Sequence, residues 1–545
     1  MSYPFIYLYD RALTWFWNSR YENLEVLNFE EIRKIAPSTS LIFSPCHRSH
    51  IDYLALSYLL YYKDLMLPQI VAGKNLNLPL VGPLLRKGGA FFMRRSFSNN
   101  RLYSVVFYEH LKKLMQRGHS IEFFPEGGRS RSGKLMPPRP GIISMILRSF
   151  LGMDEKQVSF VPISINYEKV LEGNSYINEV MGAEKKKENL KDIFSVFRDF
   201  RNYLGEAYLQ FGEPINLNAL LKEYPLSDYS SEKDWLFKVT PVLGKKIMTT
   251  INDSTVVTST ALFSLAILNS DGFSISNREL VSRIELLKSL LAEDKYSAKT
   301  LICEKTGEEI IDQMRKLGFL SKEGINDRIS LTNLEAAKLS FYRNNISHLL
   351  IFESLICGFF QYQKEIIKED LLQSIKMIYP FLKEEFFLKW DEADLDQLIN
   401  LKLNKLINKN LILEDSNVYK RPDFKSREFY ETQSLGKLVQ PSIDRFYVLI
   451  SQLWKNSAEH ISKNELERNS LEILKNLEKT QARLTPEFSE KWMFDVFLNR
   501  LIENKYVRED DKGMLYPTRI TQRLEKDANK FLEPNWLKEL SKSTT

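Results

Sequence analysis

The feature that most constrains the fold is a set of short apolar runs, each followed by a polar or glycine-rich block. Val158 to Ile165 is nearly continuous in apolar residues, as expected of a strand that is buried on both faces. Leu41 to Phe43 and Ser120 to Phe124 are shorter runs of the same kind, and helical spacing follows over Tyr53 to Tyr62 and Leu102 to Met115. This alternation predicts an α/β domain whose ligands bind beyond the carboxyl ends of the strands.

The composition changes near residue 270, after which Leu, Lys, Glu and Asn dominate with helical spacing and few glycines. Three segments of this second half each suggest a helix that ends in a small hairpin with a polar turn, at intervals of roughly 90 residues. Their strands are expected at 317–320 with 328–331, at 410–413 with 418–419, and at 505–507 with 514–516. This is a winged-helix pattern, but the turns are acidic, which disfavours a nucleic acid as partner.

Charge is concentrated in one stretch of the 545 residues. The net charge is only +6, yet Arg86 to Arg148 contains 13 Lys or Arg residues against three Glu residues. Such a stretch attracts anionic substrates. The three cysteines, Cys46, Cys303 and Cys357, show no paired spacing, which indicates a reducing compartment and disfavours a disulfide framework or a zinc site.

Membrane contact at the surface is compatible with the sequence, whereas a membrane-spanning helix and a signal peptide are not expected. The longest apolar stretch, Ile346 to Phe360, is interrupted by His348 and Glu353 and is too short to cross ~30 Å of hydrocarbon. The aromatic-rich segment from Tyr3 to Trp17 fits either a membrane interface or a helix packed on the following domain.

A candidate general base lies in the block that follows the first apolar run, Cys46-His47-Arg48-Ser49-His50-Ile51-Asp52. An imidazole with a pKa near ~6.5 can take a proton from an attacking hydroxyl, which predicts that role for His47. Asp52 would then hold the other ring nitrogen and stabilise the imidazolium. The alternative is a structural histidine, with Asp52 as the N-cap of the next helix.

Two neighbours of His47 are weaker candidates for the chemistry. His50 precedes Asp52 by only two residues, an awkward separation for a contact between their side chains. Ser49 would be a candidate for a covalent nucleophile, but no Gly-x-Ser-x-Gly elbow surrounds it. Direct transfer without a covalent enzyme intermediate is therefore expected.

An anion cradle is predicted from two further blocks. The first, Gly88 to Arg95, ends in a pair of arginines after an apolar run, and the guanidinium fork suits phosphate. The second is rich in glycine, which permits close approach of the backbone to a ligand, and its glutamate would hold an arginine or contact a substrate hydroxyl. Surface arginines and a plain glycine-rich turn are the alternatives. The candidate ligand-binding residues are Arg94, Arg95, Glu126, Gly127, Gly128, Arg129, Ser130 and Arg131.

Together with a fourth block, Val161 to Glu168, these motifs closely resemble those of the bacterial membrane-associated glycerol-3-phosphate 1-O-acyltransferases, in the same order. The resemblance covers about residues 35–250. It implies an α/β acyltransferase domain, acyl-CoA or acyl-carrier protein as the acyl donor, and no metal or bound cofactor. It places the catalytic pair of the HxxxxD motif on His47 and Asp52. It places substrate binding on Arg94, Glu126, Gly128, Arg129 and Arg131, with Pro162 in the fourth block.

Departures from the family pattern are modest. Asn99-Asn100 stands where Gly-Asn is usual, Pro137 to Gly141 varies a commoner Pro-Lys-Thr-Gly, and little sequence precedes the first motif. Related lysophosphatidate acyltransferases usually have Asn-His at the first block and Gly-Thr-Arg at the third. Here those places hold Cys46-His47 and Gly127-Gly128-Arg129, which favours glycerol 3-phosphate as the acceptor.

The sequence thus predicts an N-terminal helical segment at 1–34 and a catalytic domain at 35–268, a mixed sheet flanked by helices. A mostly α-helical C-terminal region with winged-helix-like units is expected at 269–545. The predicted function is acyl transfer to the sn-1 hydroxyl of glycerol 3-phosphate, at the cytoplasmic face of the inner membrane and peripheral to it. The alternatives are acylation of dihydroxyacetone phosphate or lysophosphatidate, or an inactive membrane-bound regulatory module.

Overall fold

A computed structural model of the chain describes residues 2–79, 81–94, 101–154, 157–172, 203–320, 327–456, 460–481, 491–527 and 532. Arg95, one of the predicted phosphate-binding residues, lies outside these ranges. The described chain forms two compact units. The first comprises Met1–Thr260, Lys295–Lys305 and Asp312–Ser321, and the second comprises Ala261–Asp294, Thr306–Ile311 and Lys322–Thr545. The division at residues 34 and 268 stays a prediction.

The first part of the chain alternates strands and helices. The described strands are β1 (Asn23–Leu27), β2 (Thr39–Pro45), β3 (Gln69–Gly73), β4 (Ala90–Met93), β5 (Ile121–Glu122), β6 (Gln157–Tyr167), β7 (Glu206–Phe211), β8 (Ile215–Asn216) and β9 (Val256–Val257). The described helices are α1 (Tyr3–Arg20), α2 (Phe29–Ile35), α3 (Asp52–Tyr62), α4 (Val81–Lys87), α5 (Arg101–Gln116), α6 (Pro140–Leu151), α7 (Leu217–Glu223) and α8 (Glu232–Asp253).

Strands β1 to β8 form one mixed sheet in the order β1-β7-β6-β2-β5-β3-β4, with β8 paired to β6. The five strands from β6 to β4 in this order run parallel, so their carboxyl ends share one edge of the sheet. Strands β1 and β7 are parallel to each other, and β7 is antiparallel to β6. Helices pack on the sheet, with α7 and α8 against β6 and α2 against β7. The predicted mixed sheet flanked by helices is confirmed.

Burial explains why β6 has no alternation of polar and apolar residues. Every residue of this strand except Gln157 is buried, because β6 lies between β2 and β7 under a layer of helices. Residues 1–34 are not only helical, since β1 lies within them and pairs with β7. A strand of five residues has too few apolar positions to reveal its partner, which follows about 180 residues later in the chain.

Helix α1 buries only part of its apolar surface. Phe16 and Trp17 are 2% and 3% exposed, whereas Leu8 and Trp15 are 61% and 54% exposed. The segment is therefore a helix packed on its unit that also presents apolar side chains to solvent. None of the helices in the described ranges is long and apolar enough to cross a membrane.

The second half of the chain is mostly helical, as predicted. The described helices are α9 (Ser259–Leu268), α10 (Asn277–Glu293), α11 (Gly307–Lys316), α12 (Asn333–Ile346), α13 (Ile351–Phe359), α14 (Lys368–Phe386), α15 (Leu395–Asn408), α16 (Arg427–Gly436), α17 (Gln440–Lys455), α18 (Lys463–Gln481), α19 (Lys491–Glu503) and α20 (Arg519–Asp527). The described strands are β10 (Ser274–Ser276), β11 (Leu301–Ile302), β12 (Arg328–Ser330), β13 (Glu365–Ile367), β14 (Leu413–Asp415), β15 (Val418–Lys420), β16 (Ile461–Ser462), β17 (Val507–Glu509) and β18 (Met514–Pro517).

Two of the three expected winged-helix-like units form within the described ranges. Their first hairpin strands, β14 and β17, begin at Leu413 and Val507 instead of the expected 410 and 505, because residues 410–411 and 505–506 still bond to the ends of α15 and α19. Strand β13 precedes α14 and α15 and pairs with the hairpin β14–β15, and β16 is related in the same way to α18, α19 and β17–β18. The first expected winged-helix-like unit differs from the prediction. Residues 317–320 are not a strand, and β12 instead pairs with β10. The apolar residues of 317–320 follow α11 directly, and Leu317 is buried as part of the helix end.

Candidate active site

His47 lies just beyond the carboxyl end of β2, in the loop that leads into α3. Its Nδ1 atom is 2.9 Å from Asp52 Oδ2, and its side chain is 16% exposed. The imidazole stacks on Phe124, with ring centroids 4.0 Å apart and an interplanar angle of 24°. These two contacts fix the plane of the ring. With Nδ1 held by Asp52, Nε2 is the nitrogen that can exchange a proton with a bound substrate.

Asp52 organises the loop as well as the imidazole. The carboxylate is fully buried, and its Oδ2 atom accepts hydrogen bonds from the backbone amides of Arg48 (2.6 Å) and Ser49 (2.9 Å). Asp52 is the first residue of α3, and Ile51 is the N-cap. The alternative in which Asp52 is the N-cap of α3 is therefore wrong, because, among the described residues, neither carboxylate oxygen accepts an amide of this helix.

Tyr167 completes this arrangement, although no sequence argument selected it. Tyr167 is the last residue of β6, 115 residues after Asp52 in the chain. Its hydroxyl donates a hydrogen bond to Asp52 Oδ1, with a distance of 2.7 Å between the two oxygens. Burial raises the pKa of Tyr167, and the nearby Asp52 charge raises it further. Tyr167 therefore remains a neutral hydrogen-bond donor to the carboxylate. The sequence signal for Tyr167 was its place in the fourth block, next to the last residue, Glu168.

Glu126 joins the third block to the first. One carboxylate oxygen accepts the His47 amide at 2.8 Å, and the other accepts the Met136 amide at 3.0 Å. Burial raises the pKa of Glu126 to about 7, while the Arg48 charge and the two amides oppose this rise. The carboxylate thus bonds to backbone amides and not to an arginine, while its contact with a substrate hydroxyl stays a prediction.

The glycine-rich turn that follows has one constrained glycine and one open glycine. Gly127 has φ = 68°, and a Cβ atom there would lie 2.8 Å from Arg139 Cγ. At Gly128, no described heavy atom lies within 4 Å of the place that a Cβ atom would take. Space for a ligand close to the backbone is therefore available at Gly128, whereas Gly127 is required by the turn itself.

Two arginines follow this turn. Arg129 is 7% exposed, with Nη1 3.8 Å from Glu172 Oε1, and Arg131 donates from Nη1 to the Arg129 carbonyl at 2.8 Å. The site thus combines an imidazole–carboxylate pair with an open glycine and two guanidinium groups. An anionic substrate that carries a hydroxyl group matches these features.

Comparisons with known proteins agree with this chemistry. A model of the glycerol-3-phosphate acyltransferase C-terminal region matches residues 176–510, and an acyltransferase model matches residues 25–166. The chain belongs to the glycerol-3-phosphate acyltransferase family. A protein named glycerol-3-phosphate acyltransferase from Pseudomonas paraeruginosa is 35% identical over 542 residues, covering 98% of this chain and 65% of the relative. One from Pseudomonas putida is 36% identical over 522 residues, covering 94% and 63%.

This family assignment confirms the predicted resemblance. The chain spans 65% of the length of the first of these relatives. The crystal structure of a 1-acyl-sn-glycerophosphate acyltransferase from Thermotoga maritima aligns at 18% identity and a TM-score of 0.27. That alignment covers 45% of this chain and 77% of the other, and its score is too low to support any argument.

Within this family member, the structure disfavours both neighbours of His47 as catalytic groups. Burial lowers the pKa of His50 to about 3, and the charges of Arg129 and Arg131 add to the effect, so His50 is a poor base at neutral pH. Ser49 is fully buried, and its hydroxyl donates to Glu172 Oε2 at 2.8 Å. A nucleophile at that position would not meet the substrate.

Ser130 does not have the ligand-binding geometry expected of it. Its hydroxyl donates to the Lys134 carbonyl at 2.6 Å and accepts the Gly133 amide at 3.0 Å. Its own amide donates to the His47 carbonyl at 3.0 Å. Ser130 therefore closes the loop that carries Arg129 and Arg131, the arginine loop, because a hydroxyl can donate and accept within one tight turn. The amide of Ser130 attaches this loop to the first block.

Two motif residues lie away from His47. Arg94 is exposed at the end of β4, where its guanidinium lies over the Tyr103 ring, 4.9 Å from the centroid. Because β4 is three strands from β2, the two strands are about 14 Å apart. Pro162 is buried inside β6 opposite Ser44, and its carbonyl accepts the Gly212 amide at 2.8 Å. The described positions thus do not bring Arg94 or Pro162 into contact with the imidazole.

Proposed function

We propose that this chain transfers a fatty acyl group from acyl-CoA or acyl-carrier protein to the sn-1 hydroxyl of glycerol 3-phosphate. The product would be 1-acyl-glycerol 3-phosphate, a precursor of phospholipids. One observation carries the proposal: the His47–Asp52 pair and the loop of Arg129 and Arg131 are joined into one site by Glu126 and Ser130. The relatives named glycerol-3-phosphate acyltransferase support the choice of acceptor.

The reaction begins when His47 Nε2 takes the proton of the acceptor hydroxyl. The oxygen then attacks the thioester carbonyl carbon, forming the new C–O bond, while Asp52 stabilises the imidazolium. When the C–S bond breaks, the imidazolium returns its proton to the departing thiolate. A positioned base of this kind typically contributes about 10²–10⁴ in rate. The route uses no metal and no bound cofactor.

Phosphate recognition in this proposal belongs to the arginine loop. Arg129 and Arg131 supply guanidinium groups, which bind phosphate oxygens in pairs, beside the open backbone at Gly128. Binding of the phosphate at this loop would place the far hydroxyl of a three-carbon acceptor towards His47. The contributions of Arg94 and Arg95 stay predictions from the motif.

The test is an acyl-transfer assay with radiolabelled glycerol 3-phosphate and an acyl thioester. Dihydroxyacetone phosphate and lysophosphatidate are run as competing acceptors. We expect the highest kcat/KM with glycerol 3-phosphate. A clear preference for either alternative would reassign the substrate, and no turnover of any acceptor by folded protein would favour the inactive-module alternative.

Arginine variants test the phosphate assignment within the same assay. Arg129→Lys keeps the charge but loses the planar fork, so the KM for glycerol 3-phosphate should rise about tenfold while that for the thioester changes little. Arg148→Lys is the matched control, because Arg148 is 57% exposed and pairs with Glu232 on another part of the unit. Equal changes of both KM values in Arg129→Lys would contradict the assignment.

Peripheral association with the cytoplasmic face of a membrane is part of the proposal. Helix α5 presents Leu102, Val105 and Val106, which are 75%, 49% and 58% exposed and lie three and four residues apart on one face. The stretch that carries this helix is also strongly basic, and each basic group near an anionic leaflet adds about 1 kcal/mol. An apolar face with basic surroundings is suited to a membrane interface.

Liposome flotation tests this surface. Replacing Leu102, Val105 and Val106 together by Ser should reduce flotation with anionic vesicles at least threefold. Phe237→Ser is the matched control, since Phe237 is 79% exposed on α8, and it should float like the wild type. Unchanged flotation of the triple variant would contradict a membrane role for α5.

A further inference from the structure

Glu172 is a buried carboxylate that the proposed reaction does not use. It lies five residues beyond the end of β6 and is 8% exposed. The Ser49 hydroxyl, which has one proton to donate, lies 2.8 Å from Glu172 Oε2 and 3.1 Å from Oε1, and Oε1 also accepts the His50 amide at 2.7 Å. Arg129 Nη1 lies 3.8 Å from the same oxygen that accepts the His50 amide. One side chain from beyond the fourth block thus contacts both the first and the third blocks.

The first block is held from two sides by two carboxylates. Asp52 accepts the amides of Arg48 and Ser49, and Glu172 accepts the next amide, that of His50, together with the Ser49 hydroxyl. Three consecutive backbone donors are therefore fixed by charged acceptors, which form the stronger class of hydrogen bond. The path of this loop determines where the imidazole of His47 lies.

The contact of Glu172 with Arg129 is longer than its hydrogen bonds to Ser49 and His50. At 3.8 Å it is longer than the 2.7–2.9 Å of a charge-assisted hydrogen bond, so it attracts the guanidinium without forming a tight fork. Because the pair is buried, this attraction is less screened than at the surface. The carboxylate of Glu172 thus acts on the position of the guanidinium to which the phosphate of the acceptor would bind.

We propose that Glu172 is a positioning residue that sets Arg129 for the phosphate of the acceptor and fixes the loop of His47 at the same time. The inference rests on the proposed function, since it concerns the same site. Glu172 itself does not touch the reacting atoms. It acts through Arg129 and through the Ser49–His50 backbone, and its loss should therefore affect acceptor binding more than donor binding.

Steady-state kinetics of Glu172→Gln test this role. The amide keeps the size of the side chain and loses its charge. The KM for glycerol 3-phosphate should rise about 3- to 10-fold, the range expected within one network of charged contacts, while the KM for the thioester stays within twofold. Glu168→Gln is the matched control: it removes a buried carboxylate four residues earlier that accepts the amides of Ser259 and Thr260 instead.

The outcomes separate positioning from simple structural support. A Glu168→Gln enzyme should lose stability with both KM values unchanged. If Glu172→Gln behaves like this control, or raises both KM values equally, the proposal is overturned. Should Glu172→Gln fail to fold, Ser49→Ala decides, because it removes one partner of Glu172 without changing any charge. It should raise the acceptor KM at least twofold, and an unchanged acceptor KM would refute the role.

Failure of this inference can be told apart from failure of the proposed function. The wild-type protein is assayed first with glycerol 3-phosphate and a thioester. A wild-type protein without turnover contradicts the function and removes the basis of the inference with it. An active wild type with normal kinetics for both Glu172→Gln and Ser49→Ala contradicts the positioning role alone.

Discussion

Replacing Asp52 by Asn separates the charge of this residue from its hydrogen bonds. Asp52 Oδ2 faces three nitrogen atoms, those of His47 Nδ1, the Arg48 amide and the Ser49 amide. If the NH₂ group of the Asn side chain took the place of Oδ2, its N–H donors would face the N–H donors of His47, Arg48 and Ser49. The Asn oxygen must therefore take the position of Oδ2, and its NH₂ group then faces the Tyr167 hydroxyl, which can accept as well as donate.

It follows that the variant retains the tautomer of His47 with its proton on Nδ1. Only the stabilisation of the imidazolium by a negative charge is lost. At an effective dielectric constant of ~20 and a separation of ~4 Å, that interaction is about 4 kcal/mol. Because 1.36 kcal/mol corresponds to a tenfold change in rate, kcat should fall by roughly 10²–10³. An inverted tautomer would cost more, on the order of 10⁴ in hydrolase triads.

The assay is kcat at saturating substrates, with urea unfolding to show that the Asp52→Asn protein is folded. A loss under fivefold would show that the charge of Asp52 is not needed. A loss as large as that of His47→Ala would refute the argument that the Arg48 and Ser49 amides fix the orientation of the Asn side chain. Asp52→Ala is less informative, because it leaves two buried amides without an acceptor, at about 1–3 kcal/mol each.

Two further predictions concern groups near the site. Burial, followed by the charge of Asp52, raises the pKa of Glu122 well above its usual value, so the folded protein keeps a proton that the unfolded chain releases above pH ~4.3. Between the pKa of Glu122 in the unfolded chain and its higher pKa in the folded protein, the free energy of unfolding should fall by up to about 1.4 kcal/mol per pH unit as the pH rises. Glu122→Gln should reduce that slope, measured by urea unfolding at pH 5–8. Identical slopes in the wild type and the variant would contradict the raised pKa of Glu122. Gly127→Ala should destabilise the protein by about 1–2 kcal/mol because of its positive φ and the contact with Arg139, whereas Gly128→Ala should keep the stability and raise the acceptor KM. Equal unfolding midpoints of the two variants would contradict this difference.

Local periodicity was sufficient to predict the elements that carry the first and fourth blocks. The run at Val158 to Ile165 became β6, Gln157–Tyr167, and the helix expected from Tyr53 begins one residue earlier at Asp52. Both signals arise within about ten neighbouring residues. The polar segments at 414–417 and 509–513 likewise predicted the hairpins β14–β15 and β17–β18, because their turn residues are adjacent in the chain. The turns are shorter than expected, since Glu414, Asp415 and Glu509 belong to the strands.

What the sequence did not reveal depends on contacts between distant residues. Tyr167 reaches Asp52 across 115 residues, and Glu172 reaches Ser49 across 123 residues. A tyrosine at the end of a strand and a glutamate in a loop have no spacing relative to a motif that would single them out. The different use of Glu126 has the same origin, since its carboxylate accepts the amide of His47, which lies 79 residues away in the chain. Ser130 is different, because its hydroxyl bonds within its own turn, to the Lys134 carbonyl and the Gly133 amide.

Acyl transfer by His47→Ala is the decisive measurement, with glycerol 3-phosphate binding and urea unfolding followed on the same preparation. The imidazole is the proposed proton acceptor, and it is held by Asp52 and stacked on Phe124. We predict a folded protein that binds glycerol 3-phosphate and has lost at least a thousandfold in kcat. A folded His47→Ala protein whose turnover stays within tenfold of the wild type would contradict the role of His47 as the general base.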